Sequence, residues 1–88
     1  MSDVHFSEEG WEDFSYWLAQ DKKTLVRIMK LIADIERNGY KGIGKPTPLR
    51  NDLTGYWSRR IDDVNCIVYR IENDVVKIYQ CGSHYRDK

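Results

Sequence analysis

Apolar residues recur at a helical spacing in two successive stretches of the first half of the chain. The first stretch predicts a helix over about residues 8–20, with Ser7 as its N-cap. The second predicts a helix that begins after Asp21 and ends at Asn38–Gly39, a pair typical of helix C-termini. Two amphipathic helices joined by a short break predict a helical hairpin. The apolar positions behind these predictions are Trp11, Phe14, Trp17 and Leu18, then Leu25, Ile28, Ile32 and Ile35.

After residue 55 the apolar pattern changes to the two-residue period of strands. Three segments, residues 56–61, 65–71 and 75–81, have this period, and residues 4–6 form a short strand candidate before the first helix. The resulting order is β-α-α-β-β-β. It predicts an α+β domain over residues 1–88, in which the helical hairpin packs on one face of a twisted, mainly antiparallel four-stranded sheet.

The register of the last two strands follows from a two-residue turn at Asn73–Asp74. This turn pairs Ile71 with Val76, Tyr69 with Ile78 and Ile67 with Gln80, and these six residues are expected to face the helices. The opposite face is then a shallow cationic surface that includes a tyrosine. Its predicted members are Cys66, Val68, Arg70, Lys77, Tyr79 and Cys81, with Ser58 and Arg60 on the neighbouring strand beside position 66.

The same register places Cys66 directly opposite Cys81, at a spacing that allows a disulfide bond. The first ten residues lack the basic and apolar regions of a signal peptide, and no apolar run approaches the ~20 residues of a membrane span. We therefore expect a cytoplasmic protein in which both thiols are free. The ligands are too few for a zinc site, and we predict neither a metal nor a cofactor.

Charge is unevenly distributed although the formal net charge is zero. Residues 1–21 carry −6, residues 22–60 carry +7 and residues 61–88 carry −1. A block at +7 attracts polyanions such as nucleic acid even when the whole protein is neutral. The alternative interpretation is a solvated helix face followed by a basic loop.

Three phrases of the sequence resemble the YoeB/Txe toxins of the RelE/ParE superfamily. They are "GKPTPL" at residues 44–49, "LTGYWSRRI" at residues 53–61 and the His84–Tyr85 pair, and the resemblance extends from about Phe6 to Tyr85. It implies a RelE-like microbial RNase fold and a toxin of a type II toxin–antitoxin system. Such a toxin is a ribosome-dependent mRNA endoribonuclease that cuts in the A site, inhibits translation and uses no metal.

The resemblance also implies partners. These are a cognate antitoxin of the YefM/Axe/Phd-like kind, the 70S ribosome with its mRNA, and a second copy of the chain in a homodimer. Operator DNA is expected to be bound only through the antitoxin, and no membrane is involved. The antitoxin is expected to lay an acidic or apolar C-terminal segment across Arg60 and His84.

Catalysis in the family needs a base for the 2′-OH, an acid for the leaving 5′-oxygen and cations for the charged transition state. By resemblance, His84 matches the acid, Tyr85 the aromatic residue that follows it, and Arg60 a phosphate-binding arginine. The other basic residues predicted to contact RNA are Lys45, Arg50 and Arg59.

The sequence departs from the family pattern at two catalytic positions. Thr47 stands at the position of the family's glutamate base, and Cys66 stands at the position of a catalytic arginine. Threonine cannot accept a proton near neutral pH, and cysteine lacks the fixed charge of arginine. Losing a general base costs roughly 10²- to 10⁴-fold in rate, and losing a transition-state cation costs a similar factor. We infer a catalytically attenuated toxin, whether a selected variant or a natural decoy.

Two other functions fit parts of the pattern. One is an inactive module that binds the antitoxin or the ribosome, or that acts with the antitoxin as an operator co-repressor. The other is a gyrase-poisoning toxin of the ParE branch, against which the "KPTPL" phrase and the His84–Tyr85 pair argue.

Overall fold

Two helices pack on one face of a mixed five-stranded sheet. The computed structural model describes residues 3–82, and the strand order in the sheet is β1-β5-β4-β3-β2, with β1 parallel to β5 and the other pairs antiparallel. The predicted α+β architecture is confirmed, and β2 is one strand more than predicted. The elements are β1 (Asp3–Phe6), α1 (Glu8–Gln20), α2 (Lys22–Asn38), β2 (Thr47–Pro48), a 3-10 turn (Asn51–Leu53), β3 (Trp57–Arg60), β4 (Cys66–Glu72) and β5 (Val75–Gly82).

The helix ends are where the sequence predicts them. The Ser7 hydroxyl accepts a hydrogen bond from the Gly10 amide at 2.9 Å, and the Asp21 carboxylate accepts one from the Thr24 amide at 3.2 Å. Gly39 ends α2 with a φ of 68°, a left-handed conformation that glycine adopts at little cost. Two side-chain N-caps and one C-terminal glycine therefore define the limits of the helical hairpin.

The core lies between the apolar face of α2 and the inner face of the sheet. Ile28, Leu31 and Ile35 of α2 are fully buried there. Phe14 and Trp17 of α1 pack against the rim of this cluster. The sheet contributes Ile67, Tyr69, Val76, Ile78 and Cys81, and Ile61 joins the cluster from just beyond the end of β3.

A β-bulge in β5 corrects the predicted register. Ile71 pairs with Val76 and Tyr69 with Ile78, as the Asn73–Asp74 turn requires. Beyond Tyr69 the register shifts by one residue, so that Ile67 pairs with Cys81 and not with Gln80. The shift reverses the two faces of β5 from residue 80 onward, because side chains alternate along a strand.

The predicted positions of Gln80 and Cys81 are therefore wrong. Cys81 belongs to the core and Gln80 faces the other side, the reverse of what the unshifted register gives. Cys66 pairs with Gly82, so the predicted juxtaposition of the two cysteines does not occur, and no disulfide bond joins them. Burial raises the pKa of the Cys81 thiol to about 12, which keeps it protonated and unreactive.

Side chains of α1 hydrogen-bond β5 where β1 no longer pairs with it. The Ser7 hydroxyl donates to the Tyr79 carbonyl at 2.6 Å, and the Trp17 indole donates to the Cys81 carbonyl at 2.7 Å. The Asp13 carboxylate accepts from the Cys81 amide at 3.0 Å. Backbone groups that would otherwise be unpaired at a sheet edge are thus satisfied by a helix.

Gly10 allows α1 to approach β5 this closely. A Cβ atom at residue 10 would lie 2.7 Å from the Ile78 carbonyl oxygen. Gly10→Ala is therefore expected to lower the free energy of unfolding by about 1–3 kcal/mol through overpacking, although alanine is the better helix former by about 1 kcal/mol. Urea unfolding measures the change.

Ser15→Ala is the matched control, because Ser15 is an exposed residue of the same helix. It should raise the stability by a few tenths of a kcal/mol. A stabilising effect of Gly10→Ala of about 1 kcal/mol would show that the close approach to β5 does not constrain this position.

Candidate functional site

A shallow hollow lies on the face of the sheet opposite the helices. Its volume is about 230 Å³, and Lys45, Thr47, Arg60 and Cys66 line it together with Leu49 and Ser58. The structure thus brings together four of the residues that the sequence singles out. We call this the cleavage hollow, after the mRNA cleavage that the family resemblance implies.

Strand pairing explains why these residues meet. Thr47 of β2 pairs with Ser58 of β3, and Arg60 of β3 pairs with Cys66 of β4. Because alternate residues of a strand share a face, residues 58 and 60 point to the same side of the sheet, and so do their partners. Three neighbouring strands each contribute to the hollow, which makes its geometry a property of the sheet and not of one loop.

The side chains of the cleavage hollow can bind an anion but include no carboxylate. Lys45 and Arg60 are exposed cations, and the remaining lining side chains are uncharged or apolar. The Thr47 hydroxyl donates a hydrogen bond to the Lys45 carbonyl at 2.8 Å, so its proton is already engaged within the loop. Among the lining residues that the structure describes, none is a good proton acceptor near neutral pH.

A second and larger hollow adjoins the first. Leu49 lines both, and the larger one has a volume of about 610 Å³. Its other lining residues come from the 3-10 turn and β5, and they are Arg50, Asn51, Asp52, Leu53, Tyr79 and Gln80. The predicted RNA-contacting residue Arg50 is exposed and lies beside this second hollow.

The structure overturns the prediction that Arg59 contacts RNA. Its side chain is 0% exposed, and it lies on the core side of the sheet, paired with Ile67 of β4. The guanidinium makes a salt bridge to Asp34 of α2 at 2.6 Å and donates to the Tyr69 hydroxyl at 3.1 Å. The alternation of side chains along a strand predicts this burial, because residue 59 shares its face with the core residue Ile61.

Arg59 also binds the loop between α2 and β2. It donates to the carbonyls of Gly39, Lys41 and Ile43, each at 2.8 Å. This loop has no strand partner over residues 39–43, so the arginine supplies donors that a regular element would otherwise provide. The loop leads directly into Lys45 and Thr47, so its path determines where these two residues lie in the cleavage hollow.

Asp34 completes this buried network. Its carboxylate accepts hydrogen bonds from Arg59, from the Asn38 side chain at 2.7 Å and from the Ile43 amide at 3.1 Å. The bond from Arg59 is the main reason why the pKa of Asp34 lies below its ordinary value of 3.8. Gly42 is required beside it, because a Cβ there would lie 2.0 Å from an Asp34 carboxylate oxygen.

The backbone of the loop is set close to β3. The Arg60 amide donates to the Gly44 carbonyl at 2.6 Å, and Gly44 has a φ of 83°. Lys45 has a φ of 52°, which is unusual for a residue other than glycine and costs about 1 kcal/mol or more. The contacts on both sides of Lys45 therefore hold it in a conformation that it would not choose in a free chain.

His84 and Tyr85, the predicted acid and its neighbouring aromatic residue, lie outside the described residues 3–82. Their roles stay predictions. The strand that leads to them, β5, ends at Gly82, which pairs with Cys66 at the edge of the cleavage hollow.

Comparison with known proteins places this geometry in a family. The family model of the YoeB-like toxins of bacterial type II toxin–antitoxin systems matches residues 6–85. The chain belongs to this family. The toxin YoeB of Mycobacterium bovis is 51% identical over 85 residues, which cover 97% of this chain and 100% of that protein.

Solved structures of the YoeB family share the fold closely. The chain is similar to a protein in the heterotetrameric YoeB–YefM toxin–antitoxin complex from Staphylococcus aureus, with a TM-score of 0.90, 41% identity and coverage of 97% of this chain and 99% of that one. It is also similar to the YoeB dimer from Staphylococcus aureus, with a TM-score of 0.88, 41% identity and coverage of 96% and 98%. The chain is thus a YoeB-like toxin in sequence and in fold.

Neither of the two helices within residues 3–82 is both long enough and apolar enough to cross a membrane.

The buried pair predicts an acid-dependent loss of stability that Asp34→Asn removes. A carboxyl whose pKa is lower in the folded state stabilises the fold fully above its unfolded pKa, and this contribution falls as the pH drops from about 5 through the lower, folded value. At neutral pH, Asp34→Asn should cost roughly 3–5 kcal/mol, because it leaves the Arg59 charge buried without its partner.

Urea unfolding between pH 7 and pH 2.5 measures this difference, which should shrink as the pH falls. Asp63→Asn is the control, because Asp63 is exposed and makes no ion pair among the described residues. A pH-independent difference between the Asp34→Asn chain and the unchanged chain would contradict the assignment.

Proposed function

We propose that this chain is the toxin of a type II toxin–antitoxin pair that acts as a ribosome-dependent mRNA endoribonuclease, and that its catalytic activity is attenuated. It would bind in the ribosomal A site, cut the mRNA there without a metal and so inhibit translation in the cytoplasm. The observation that supports this function best is the cleavage hollow, where Lys45 and Arg60 line the same surface as the two departing positions, Thr47 and Cys66.

The chemistry of the hollow supports RNA binding more strongly than cleavage. Two exposed cations converge on a surface where a phosphate of an extended strand can approach, and the 3-10 turn adds Arg50 next to it. In-line attack by the 2′-oxygen needs a proton acceptor on one side and an acid on the other. Position 47 faces the hollow but offers a hydroxyl that donates to its own loop.

The second missing group is the cation at position 66. Arg60 and residue 66 are directly paired across β3 and β4, so an arginine at 66 would place a second guanidinium beside the first. Two guanidinium groups would stabilise the extra negative charge on phosphorus in the transition state better than one. Cys66 is half-buried and supplies no fixed charge there. By resemblance, His84 would act as the acid and Tyr85 would contact the substrate.

An antitoxin of the YefM-like kind is the proposed protein partner. The relatives in the Staphylococcus aureus complexes are bound to YefM, and a YoeB dimer is also known from that organism. We infer that an acidic or apolar segment of the antitoxin covers the cations of the cleavage hollow, and that two copies of this chain associate. Operator DNA would be contacted through the antitoxin.

The missing groups favour one alternative function. A chain that keeps its binding cations but lacks the base could serve as an antitoxin-binding or ribosome-binding module, or as an operator co-repressor, that cuts nothing. Antitoxin binding does not separate the two proposals, because both predict it. Cleavage in a translating system does.

Restoring the family's glutamate at position 47 and arginine at position 66 should restore mRNA cleavage. We expect the Thr47→Glu, Cys66→Arg chain to cut mRNA in the A site at least about 10²-fold faster than the unchanged chain, because base and cation each contribute 10²- to 10⁴-fold. Mapping of mRNA 5′ ends in a ribosome-containing translation reaction measures the rate and the position of the cuts.

The matched control is Thr47→Gln, Cys66→Arg, which has the shape of glutamate at position 47 but no base. It should cut roughly 10²- to 10⁴-fold more slowly than the restored chain, because it has the cation at position 66 but lacks the base. If the unchanged chain cuts as fast as the restored one, positions 47 and 66 do not carry the chemistry. If the restored chain makes no cuts on the ribosome, the endoribonuclease proposal fails and the non-cleaving module is favoured.

The affinity of the chain for RNA should depend on Arg60. Arg60→Ala is expected to weaken the affinity for single-stranded RNA and to lower the slope of log Kd against log salt by about 0.7, because one phosphate contact is lost. Fluorescence anisotropy at two or more salt concentrations measures both quantities. An unchanged affinity at physiological salt would remove Arg60 from the site.

A further inference from the structure

The bulge in β5 places an aromatic side chain between two hollows of the open sheet face. Tyr79 has no partner in β4, because Tyr69 pairs with Ile78 and Val68 with Gln80. Tyr79 lines the 610 Å³ hollow beside Arg50 and also a neighbouring hollow of about 210 Å³ beside Lys77. Leu49 lines both the larger hollow and the cleavage hollow, so each hollow shares a lining residue with the next, and we call the three together the groove.

The position of Tyr79 is fixed by its surroundings. Its carbonyl accepts the Ser7 hydroxyl at 2.6 Å, and the adjacent Ile78 carbonyl accepts the Ser7 amide at 2.9 Å. The Tyr79 ring lies 5.5 Å from the Tyr56 ring at an interplanar angle of 44°. An aromatic side chain held on both its backbone and its ring loses little freedom when a ligand stacks on it.

A buried acceptor adjoins the ring. Gln80 is 0% exposed and lines the same hollow as Arg50. Its amide nitrogen donates to the Glu9 carboxylate at 2.5 Å, which fixes the orientation of the amide group. Among residues 3–82, the side-chain oxygen Oε1 of Gln80 has no hydrogen-bond partner, which is uncommon for a buried polar group. A nucleobase N–H that enters this hollow would supply the missing donor.

The distribution of charged side chains along the groove indicates where it would bind the phosphates of a ligand and where it would bind a base. Arg50 makes no ion pair among the described residues, whereas Glu72 pairs with both Arg70 and Lys77. The lining of the cleavage hollow and the larger hollow carries three cations, Lys45, Arg50 and Arg60, against one acid, Asp52, so this end is cationic. At the far end, Glu72 offsets one of the two charges of Arg70 and Lys77. A polyanion whose phosphates lie at one end and whose unpaired base reaches an aromatic ring at the other matches this distribution.

We propose that Tyr79 is a stacking subsite for an unpaired base of the bound RNA, away from the bond that faces the cleavage hollow, with Gln80 as an acceptor for an N–H of that base. The inference rests on the proposed function, because it takes single-stranded RNA as the ligand. It would be a second site at which this chain binds RNA, independent of the phosphate-binding cations. The subsite would favour RNA that is unstacked around the cleaved bond.

Tyr79→Leu and Tyr79→Phe test the subsite in the full-length chain. The probe is a fluorescent single-stranded RNA of about 10 nucleotides, a length typical of such grooves. Tyr79→Leu should raise Kd roughly 5- to 100-fold, the range seen when one base-stacking aromatic residue is removed, whereas Tyr79→Phe should stay within about twofold. The salt slope should be unchanged in Tyr79→Leu and shallower in Arg60→Ala, since only the latter loses a phosphate contact.

The outcomes separate this inference from the proposed function. If Arg60→Ala weakens RNA binding and Tyr79→Leu does not, the subsite is overturned and RNA binding stands. If Tyr79→Leu weakens only the binding of an acidic antitoxin peptide, the surface belongs to the antitoxin and the subsite is again overturned. If the unchanged chain binds no RNA at low salt, the proposed function fails and the subsite with it.

A measurement on the unchanged chain covers the case in which Tyr79→Leu does not fold. RNA that carries 4-thiouridine at successive positions is crosslinked by light, and the modified residues are identified by mass spectrometry. The subsite predicts that one RNA position crosslinks to the β5 segment around Tyr79 and a different position crosslinks near Arg60. Crosslinks confined to the residues of the cleavage hollow would overturn it.

Discussion

The buried ion pair between Arg59 and Asp34 is the interaction on which the functional half of the molecule depends. A guanidinium with no exposed surface joins β3 to α2 and also binds three carbonyls of the loop that leads to Lys45. A buried pair of this kind contributes little net stability, but breaking it is costly, so it selects one arrangement over others. Here the arrangement selected is the path of the loop, and that path places Lys45 and Thr47 over the sheet.

The proposed functions of RNA binding and catalysis depend on different residues of this surface. The cations Lys45 and Arg60 and the hollow around them are formed by strand pairing and do not require a catalytic base. Thr47 and Cys66 occupy the same hollow without supplying a proton acceptor or a fixed charge. The fold of a YoeB-like toxin is thus present in a chain that departs from the family pattern at two positions of the hollow, which fits the general rule that a fold does not by itself fix the chemistry of its site.

Much of the fold could be predicted from the sequence because its signals are local. The two apolar stripes, the caps at Ser7 and Asp21 and the Asn73–Asp74 turn each act over a few residues. The grouping of Arg60 with Cys66 followed from the same strand period. The short strand β2 was missed because it has only two residues, one of them a proline.

What could not be predicted depends on contacts between distant residues. No feature around Tyr79 marks a bulge, yet that single extra residue moves Cys81 into the core and Gln80 out of it. Arg59 was predicted by resemblance to contact RNA, and its burial depends on Asp34, a partner 25 residues earlier in the chain. The two-residue period of β3 places residue 59 on the core face, whereas arginine is a residue type usually found in contact with solvent.

We propose that this chain keeps the binding surface of its family and lacks part of its chemistry. The most direct test measures occupancy and cleavage together, on 70S ribosomes programmed with a defined mRNA. We predict that the unchanged chain occupies the ribosome with an affinity within about tenfold of the Thr47→Glu, Cys66→Arg chain, since at most one phosphate contact differs, while its cleavage rate per bound molecule is at least about 10²-fold lower. Equal rates per bound molecule, or no occupancy by the unchanged chain, would contradict the claim.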